Sequence, residues 1–325
     1  MAKKVEVALI GVGHLGKFHA EKLCELPQAD LKFLVDIDIE KLKGIQKYLL
    51  TKYGKKIAIT DNLKETLSEI SAVIVATPTS THYKIAKEIL LAGKALFLEK
   101  PITNDLDQAE ELMKIAERKN IPFQVGYIER YQKVVHKLLK KVKKPLFIEA
   151  HRLNSFVERN LDIDVILDLM IHDLDLVLLL KKEAEINFLH AVGAPLFTDK
   201  PDIVNVRIAF KDGTTCNLTA SRISLSRQRK FRVFEQGIYY SIDTLEKSYI
   251  EIRPNKETKD FILKEEKFTE DDPLKEELKA FLRALLEKKE VYPSIKEALP
   301  ALKFAFEIKK EVERNLKNSM RIEQV

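Results

Sequence analysis

The stretch that decides the fold is Val5-Glu6-Val7-Ala8-Leu9-Ile10-Gly11-Val12-Gly13-His14-Leu15-Gly16. A short, mainly apolar run reads as a buried strand, and the G-x-G-x-x-G that follows at once opens an amphipathic helix predicted over 15–26. In that setting each glycine has its own role. Gly11 permits a tight turn, Gly13 lets backbone approach a pyrophosphate, and Gly16 lets helix and strand pack closely. The phosphates then meet the free N–H groups at the helix N-terminus, where the dipole favours negative charge. Asp36 follows Gly16 by twenty residues, at the end of the next strand candidate, placed to accept hydrogen bonds from the adenosine ribose hydroxyls. Its carboxylate repels a 2′-phosphate, and Ile37 rather than an arginine comes next, so the pattern points to NAD rather than NADP.

Working outward, strand candidates at 5–10, 31–35, 72–76, 95–98 and 123–125 alternate with helix candidates at 15–26, 39–53, 80–92 and 105–119. Asn104 and Asp105 supply the cap of the last helix. This alternation predicts an α/β domain over residues 1–122, a doubly wound parallel sheet of the Rossmann type. After Tyr127 the rhythm changes to a helix over 129–142, a strand over 146–153, an apolar helix over 162–181, and strands separated by turns such as Lys211-Asp212-Gly213 and Gln236-Gly237. Two closing helices, 273–289 and 294–316, carry Pro273 and Pro293 near their starts. Residues 123–325 therefore read as an α+β domain with an open, largely antiparallel sheet for substrate binding and oligomerisation, its closing helices able to pack back on the first domain. The boundary is a tight crossover near residue 122, with no repeat and no low-complexity linker.

Bulk composition excludes several classes. The chain of 325 residues is 45% hydrophobic, enough for a real core. Its 56 basic residues are interspersed with 50 acidic ones, so the net charge of +6 marks a mixed-sign surface, and no nucleic-acid motif accompanies it. The densest basic runs are Lys140 to Lys144, at a helix end before Pro145, and Arg227 to Arg232, which alternates with Phe231 and Val233 as a strand does. Cys24 and Cys216 stand far apart with no CxxC, so neither a disulfide framework nor a zinc site is expected. The N-terminus lacks a signal-peptide core, and the longest apolar stretch, 165–180, is interrupted by Asp168, His172, Asp173 and Asp175. A cytoplasmic protein with no membrane segment is the expectation. A charged content of 33% with no Trp hints at a thermophilic source.

Two places carry candidate chemistry. Glu99-Lys100-Pro101 follows the fourth strand candidate, at the carboxyl edge where ligands of open α/β sheets collect, and a lysine there reaches the nicotinamide end; a surface lysine closing a strand is the plain alternative. In Asp168-Leu169-Met170-Ile171-His172, two ionisable groups four apart share one face of an apolar helix, and Asp175 extends that stripe. Such groups are costly to bury unless paired or used, so they are either catalytic or satisfied structural partners. They supply too few ligands for a metal. His14 and His19 read as a solvated and a packed histidine without chemistry of their own.

The motifs GVGHLG at 11–16, ATPTSTH at 76–82, EKP at 99–101 and DLMIH at 168–172, in this order, make the whole chain resemble the Gfo/Idh/MocA family of sugar and cyclitol oxidoreductases. The resemblance implies that Lys100, Asp168 and His172 form the catalytic set. It implies that Gly11, Gly13, His14, Leu15, Gly16, Asp36, Thr77, Pro78, His82, Glu99 and Lys100 hold NAD. The sequence departs from the family pattern in lacking a glycine run before Asp168 and in placing Met170 where a glycine often stands, which bears on local loop shape but not on the Asp-to-His spacing. As a secondary alcohol loses hydride to the nicotinamide, His172 takes the hydroxyl proton, Asp168 orients the imidazole, and Lys100 stabilises the alkoxide; Lys100 and His172 both remain open as the proton acceptor. VGYIERY, EAHRL, DVILDLMIHDLDL and ASRIS are similar to the subgroup that oxidises UDP-N-acetylglucosamine at C3, toward the diamino sugars of lipid A. Tyr127, Arg130, Arg152, Arg159 and Arg222 are then the substrate candidates, since arginine makes bidentate contacts to phosphate. An inositol or free-sugar dehydrogenase and a non-catalytic NAD-binding sensor remain the alternatives. The resemblance also implies a homodimer or homotetramer.

Overall fold

The computed structural model describes residues 3–157, 161–182 and 185–322. They fall into two compact units, residues 1–128 with 272–299 and residues 129–271 with 300–325.

The first unit holds six parallel strands, β1 (Val5–Ile10), β2 (Ala29–Val35), β3 (Ala58–Thr60), β4 (Ala72–Val75), β5 (Ala95–Glu99) and β6 (Phe123–Gly126). Their order is β3-β2-β1-β4-β5-β6, so the chain winds one way from β1 and the other way from β4. The connecting helices are α1 (His14–Glu25), α2 (Ile39–Tyr53), α3 (Leu63–Thr66), α4 (Thr79–Leu91) and α5 (Leu106–Lys119). β4 is buried throughout, as expected of a strand covered on both faces. The reversal between β1 and β4 opens the crevice at their carboxyl ends, and it is there that Gly11 and Thr77 emerge. One late helix, α8 (Pro273–Glu287), completes this core: Leu278, Phe281 and Leu282 pack with Leu23 and Phe97, the two phenylalanine rings meeting edge-on at 5.7 Å.

In the second unit a 3-10 turn at Ile128–Tyr131 and α6 (Lys133–Lys141) lead into β7 (Phe147–Leu153). A π-helical turn at Ile166–Met170 and α7 (Ile171–Leu180) follow. Then come β8 (Ile186–Ala194), β9 (Ile203–Phe210), β10 (Thr215–Ser221), β11 (Gln228–Glu235), β12 (Ile238–Asp243), β13 (Ser248–Pro254) and β14 (Phe261–Lys267). The eight strands run β14-β13-β12-β11-β7-β10-β9-β8, antiparallel except where β7 meets β10. The turns expected at Gly213 and Gly237 are present, both glycines at positive φ. The last helix, α9 (Ile295–Ile322), starts among the residues of the first unit and belongs to the second from residue 300.

Several sequence expectations need correction. β3 and α3, of three and four residues, were not anticipated, because elements so short show no period. The helix expected over 129–142 is parted at Gln132, whose N–H turns back to the Glu129 carbonyl. The helix expected over 162–181 starts as the π-helical turn and becomes α-helical only at Ile171. The second closing helix, expected over 294–316 after Pro293, runs over Ile295–Ile322; Ser294 provides the entry, its N–H and hydroxyl both donating to Glu297 Oε2 at 2.8 and 3.0 Å. No helix among the described residues is long and apolar enough to cross a membrane.

Candidate active site

The dinucleotide cradle is built by backbone. Gly11 sits at φ +87° and donates to the Val35 carbonyl at 2.8 Å. A Cβ on it would lie 2.6 Å from the Ala76 carbonyl oxygen, and a Cβ on Gly16 would lie 2.0 Å from that of Gly11, so neither position admits a side chain. Gly13 differs: nothing stands within 4 Å of its would-be Cβ. It caps α1 without a side-chain hydrogen bond, leaving the first N–H groups of the helix for an anion. The Asp36 carboxylate is fixed by two backbone donors, Val12 N–H at 2.8 Å and Asp38 N–H at 3.0 Å, one on each oxygen. Each oxygen keeps a lone pair for a ribose hydroxyl. These residues fit a dinucleotide. His14 and Leu15 are exposed on the same turn.

His82 braces the cradle from behind. It is buried, with Nε2 2.9 Å from the Thr77 carbonyl and Nδ1 2.9 Å from that of Pro101. Burial lowers its pKa while the two carbonyls work the other way. The loops after β4 and β5 are thereby tied together. Pro78 caps α4, and the Thr81 hydroxyl bridges the Thr77 hydroxyl and the Pro78 carbonyl at 2.8 Å each.

Behind the half-buried Lys100 stands a cluster the sequence did not disclose. Glu99, the last residue of β5, accepts from His19 Nε2 at 2.7 Å inside the core. Gly126 makes room for it, since a Cβ there would fall 2.8 Å from the Glu99 carboxylate. Glu277 of α8 is fully buried and neither of its oxygens has a hydrogen-bond partner among the described residues. Burial, then the charge of Glu99, raises its pKa well above the ordinary glutamate value, so the buried site favours the protonated acid.

In the second unit, Asp164 organises the segment with the other two catalytic candidates. Its Oδ1 accepts the Ile166 and Leu167 N–H groups at 3.0 Å each, and its Oδ2 pairs with Lys309 at 3.1 Å. Asp168 is half-buried on the π-helical turn, and His172, buried, lies in the first turn of α7. Among the described residues no group of three or more His, Cys, Asp or Glu side chains is gathered to hold a metal ion.

The structure places the expected substrate arginines deep in the scaffold. Arg130 binds Asp175 through two nitrogens, at 2.8 and 2.6 Å. Arg152 does the same to Asp173, at 3.1 and 2.8 Å, and donates to Glu129 at 2.8 Å. Arg222 spans Asp202 at 2.8 Å, the Ile163 carbonyl and the Thr198 hydroxyl. All three are buried. Burial pushes the Asp173 and Asp175 carboxyls up and the arginine forks pull them back. Asp202 also feels burial, but the N–H groups of Leu196, Phe197 and Thr198, with Arg222, hold it far below the usual range. Tyr127 is fully buried, and Arg159 lies outside the described residues.

Residues 5–127 match the model of the GFO_IDH_MocA oxidoreductase family, NAD-binding Rossmann fold. Over 246 residues, 74% of this chain and 74% of the relative, the sequence is 36% identical to the UDP-N-acetylglucosamine 3-dehydrogenase of Acidithiobacillus ferrooxidans. A solved structure of that organism's UDP-N-acetylglucosamine 3-dehydrogenase GnnA superposes with a TM-score of 0.87 at 32% identity, covering 96% of this chain and 99% of that one. The structure of scyllo-inositol dehydrogenase from Lactobacillus casei with bound NAD(H) and scyllo-inositol shares the fold, with a TM-score of 0.79 at 19% identity over 96% of this chain and 98% of that one. The likeness to the first of these runs through both units, and the glycines and the aspartate of the cradle meet the demands of a dinucleotide; the chain belongs to the Gfo/Idh/MocA oxidoreductase family and is an NAD-dependent dehydrogenase.

Proposed function

We propose that this dehydrogenase oxidises the C3 hydroxyl of UDP-N-acetylglucosamine, a step toward the diamino sugars of lipid A. The reading is carried by the 36% identity to an enzyme named for that reaction. NAD, when bound, accepts the hydride from the substrate carbon. His172 takes the hydroxyl proton as the C–O bond becomes a carbonyl, and Asp168, four residues earlier, orients the imidazole and stabilises its charged form. Lys100 donates to the developing alkoxide, and it is the alternative proton acceptor. The His19–Glu99 pair fixes the end of β5 and with it the backbone from which Lys100 projects. Assembly as a homodimer or homotetramer in the cytoplasm belongs to the same reading.

One observation favours a second substrate class. With Arg130, Arg152 and Arg222 neutralised by their own carboxylates, they give no support to a diphosphate site, and a cyclitol or free sugar needs none. The test is absorbance at the NADH band with NAD and, in turn, UDP-N-acetylglucosamine, UDP-glucose, myo-inositol and glucose, with an aminotransferase trap for the keto product. Reduction by UDP-N-acetylglucosamine alone, lost in His172→Ala, is the expected result. Turnover of myo-inositol or glucose in preference moves the chain to the second class. NAD binding without turnover on any of the four leaves a sensor.

A further inference from the structure

Among the described residues, Arg229 of the second unit lacks the carboxylate partner that Arg130, Arg152 and Arg222 each have. Arg229, the second residue of β11, lies directly opposite Arg152 of β7 in the antiparallel register, so two guanidinium side chains rise together from one face of the sheet. It is the face of Ile148, Ala150, Phe231 and Val233, all buried. Arg152 holds both nearby carboxylates, Glu129 and Asp173, in its own fork. Arg229 feels them only at a distance. Burial first, and then Arg152, depress its pKa; the charge of Arg227 works the same way, with Glu129 and Asp173 opposing. Its Nε is buried with no hydrogen-bond partner. Arg227, exposed two residues earlier, adds a second positive charge.

Like charges on facing strand positions destabilise a sheet, and a buried donor without an acceptor is a further penalty. An anion placed against the Arg229 guanidinium supplies the missing acceptor and offsets the repulsion from Arg152. Phosphate suits it best, because its paired oxygens match the arginine fork and because guanidinium is weakly hydrated. The place is also apt. Asp173, whose carboxylate Arg152 holds, directly follows His172. We infer that Arg229, assisted by Arg227, is the receptor for the diphosphate of a nucleotide-sugar substrate, the role for which Arg130, Arg152 and Arg222 are already committed elsewhere. This rests on the nucleotide-sugar reading above.

The experiment is calorimetric titration of the NADH-loaded protein with UDP, which needs no turnover, on the wild type, Arg229→Gln and Lys230→Gln. Lys230 neighbours Arg229 on the strand but points to the opposite face. The loss of one charge-assisted hydrogen-bonding group is expected to weaken UDP binding by roughly ten- to a hundredfold in Arg229→Gln. Lys230→Gln is expected to bind as the wild type does. KM for UDP-N-acetylglucosamine rises by the same factor as the UDP dissociation constant, the effect falling on KM rather than on kcat. The melting temperature of Arg229→Gln is expected to stay level or rise, since the repulsion from Arg152 is relieved; a purely structural arginine would lower it. An unaltered UDP affinity in folded Arg229→Gln, or a wild type that binds no UDP, overturns the inference. A wild type that binds UDP through Arg229 but oxidises no UDP-sugar overturns the proposed substrate and leaves the anion site standing.

Discussion

At the scale of single residues, chemistry shows in a sequence when it is carried by type and spacing, and is hidden when it depends on what lies opposite. Asp36 is of the first kind, and its two backbone donors define what its removal does. Asp36→Ala is expected to raise KM for NAD roughly ten- to a hundredfold through lost charge-assisted hydrogen bonds, and to narrow the preference for NAD over NADP; steady-state rates with both cofactors measure it. Glu277 is of the second kind: in Lys275-Glu276-Glu277 it looks like any charged helix face, and only the fold reveals that it is fully buried beside Glu99. An acid whose pKa is raised by folding holds its proton in the native state after the unfolded chain has released it. Native stability from this group is therefore intact below the ordinary glutamate pKa and falls as pH rises toward the raised value, by up to about 1.4 kcal/mol per pH unit. Glu277→Gln is expected to melt higher than the wild type at neutral pH, by a margin that widens with pH across that window. A margin that stays constant from acid to neutral pH refutes the raised pKa of Glu277. The same hiding explains His19, whose bond to Glu99 spans 80 positions, and the arginines, whose partners lie 20 to 45 residues away.

At the scale of elements, the strand–glycine–helix opening was legible because its constraints are local, and the glycines allow a sharp comparison. Gly16→Ala drives a methyl into the Gly11 carbonyl, and an overpacked contact of this kind typically costs about 1–3 kcal/mol. Gly13→Ala meets nothing within 4 Å. The expected outcome is a lowered melting temperature with weakened NAD binding for Gly16→Ala, and weakened NAD binding at nearly wild-type stability for Gly13→Ala. The π-helical turn at Ile166–Met170 was not legible, since an apolar run with Asp168 and His172 four apart reads the same in either helix. The departure from the family pattern at Met170 lies inside that turn, and it was the one local hint. The break at Gln132 was hidden for a similar reason: Ile128 to Lys141 contains neither glycine nor proline. Arg152 ties three elements together, β7, α7 and the 3-10 turn. Its replacement by alanine strands two buried carboxylates and is expected to cost about 3–5 kcal/mol in denaturant unfolding.

At the scale of the whole molecule, the two folds were legible from rhythm, and the closing helices read as able to pack back on the first domain, but which of their residues enter its core was not legible. Nothing in Leu278, Phe281 and Leu282 says which core they enter; the structure puts them against Leu23 and Phe97 of the first unit. Phe281→Ala is expected to lose about 3–5 kcal/mol of stability and, in a cooperative unit, to weaken NAD binding at elevated temperature more than at room temperature. A fragment ending at residue 128 is expected neither to bind NAD nor to remain monomeric, because it leaves this apolar surface open. A fragment that binds NAD at wild-type affinity contradicts the shared core.

That division of the first unit between the two ends of the chain has a bearing on synthesis. Its sheet is complete at residue 128, yet the helix that seals it starts at Pro273, after the 143 residues from 129 to 271 have been made. At typical translation rates the gap lasts roughly 7 to 30 seconds, far longer than a strand takes to pair. The nascent protein spends that interval with the α8-facing side of Leu23 and Phe97 uncovered, and the first unit gains its full core only when α8 arrives.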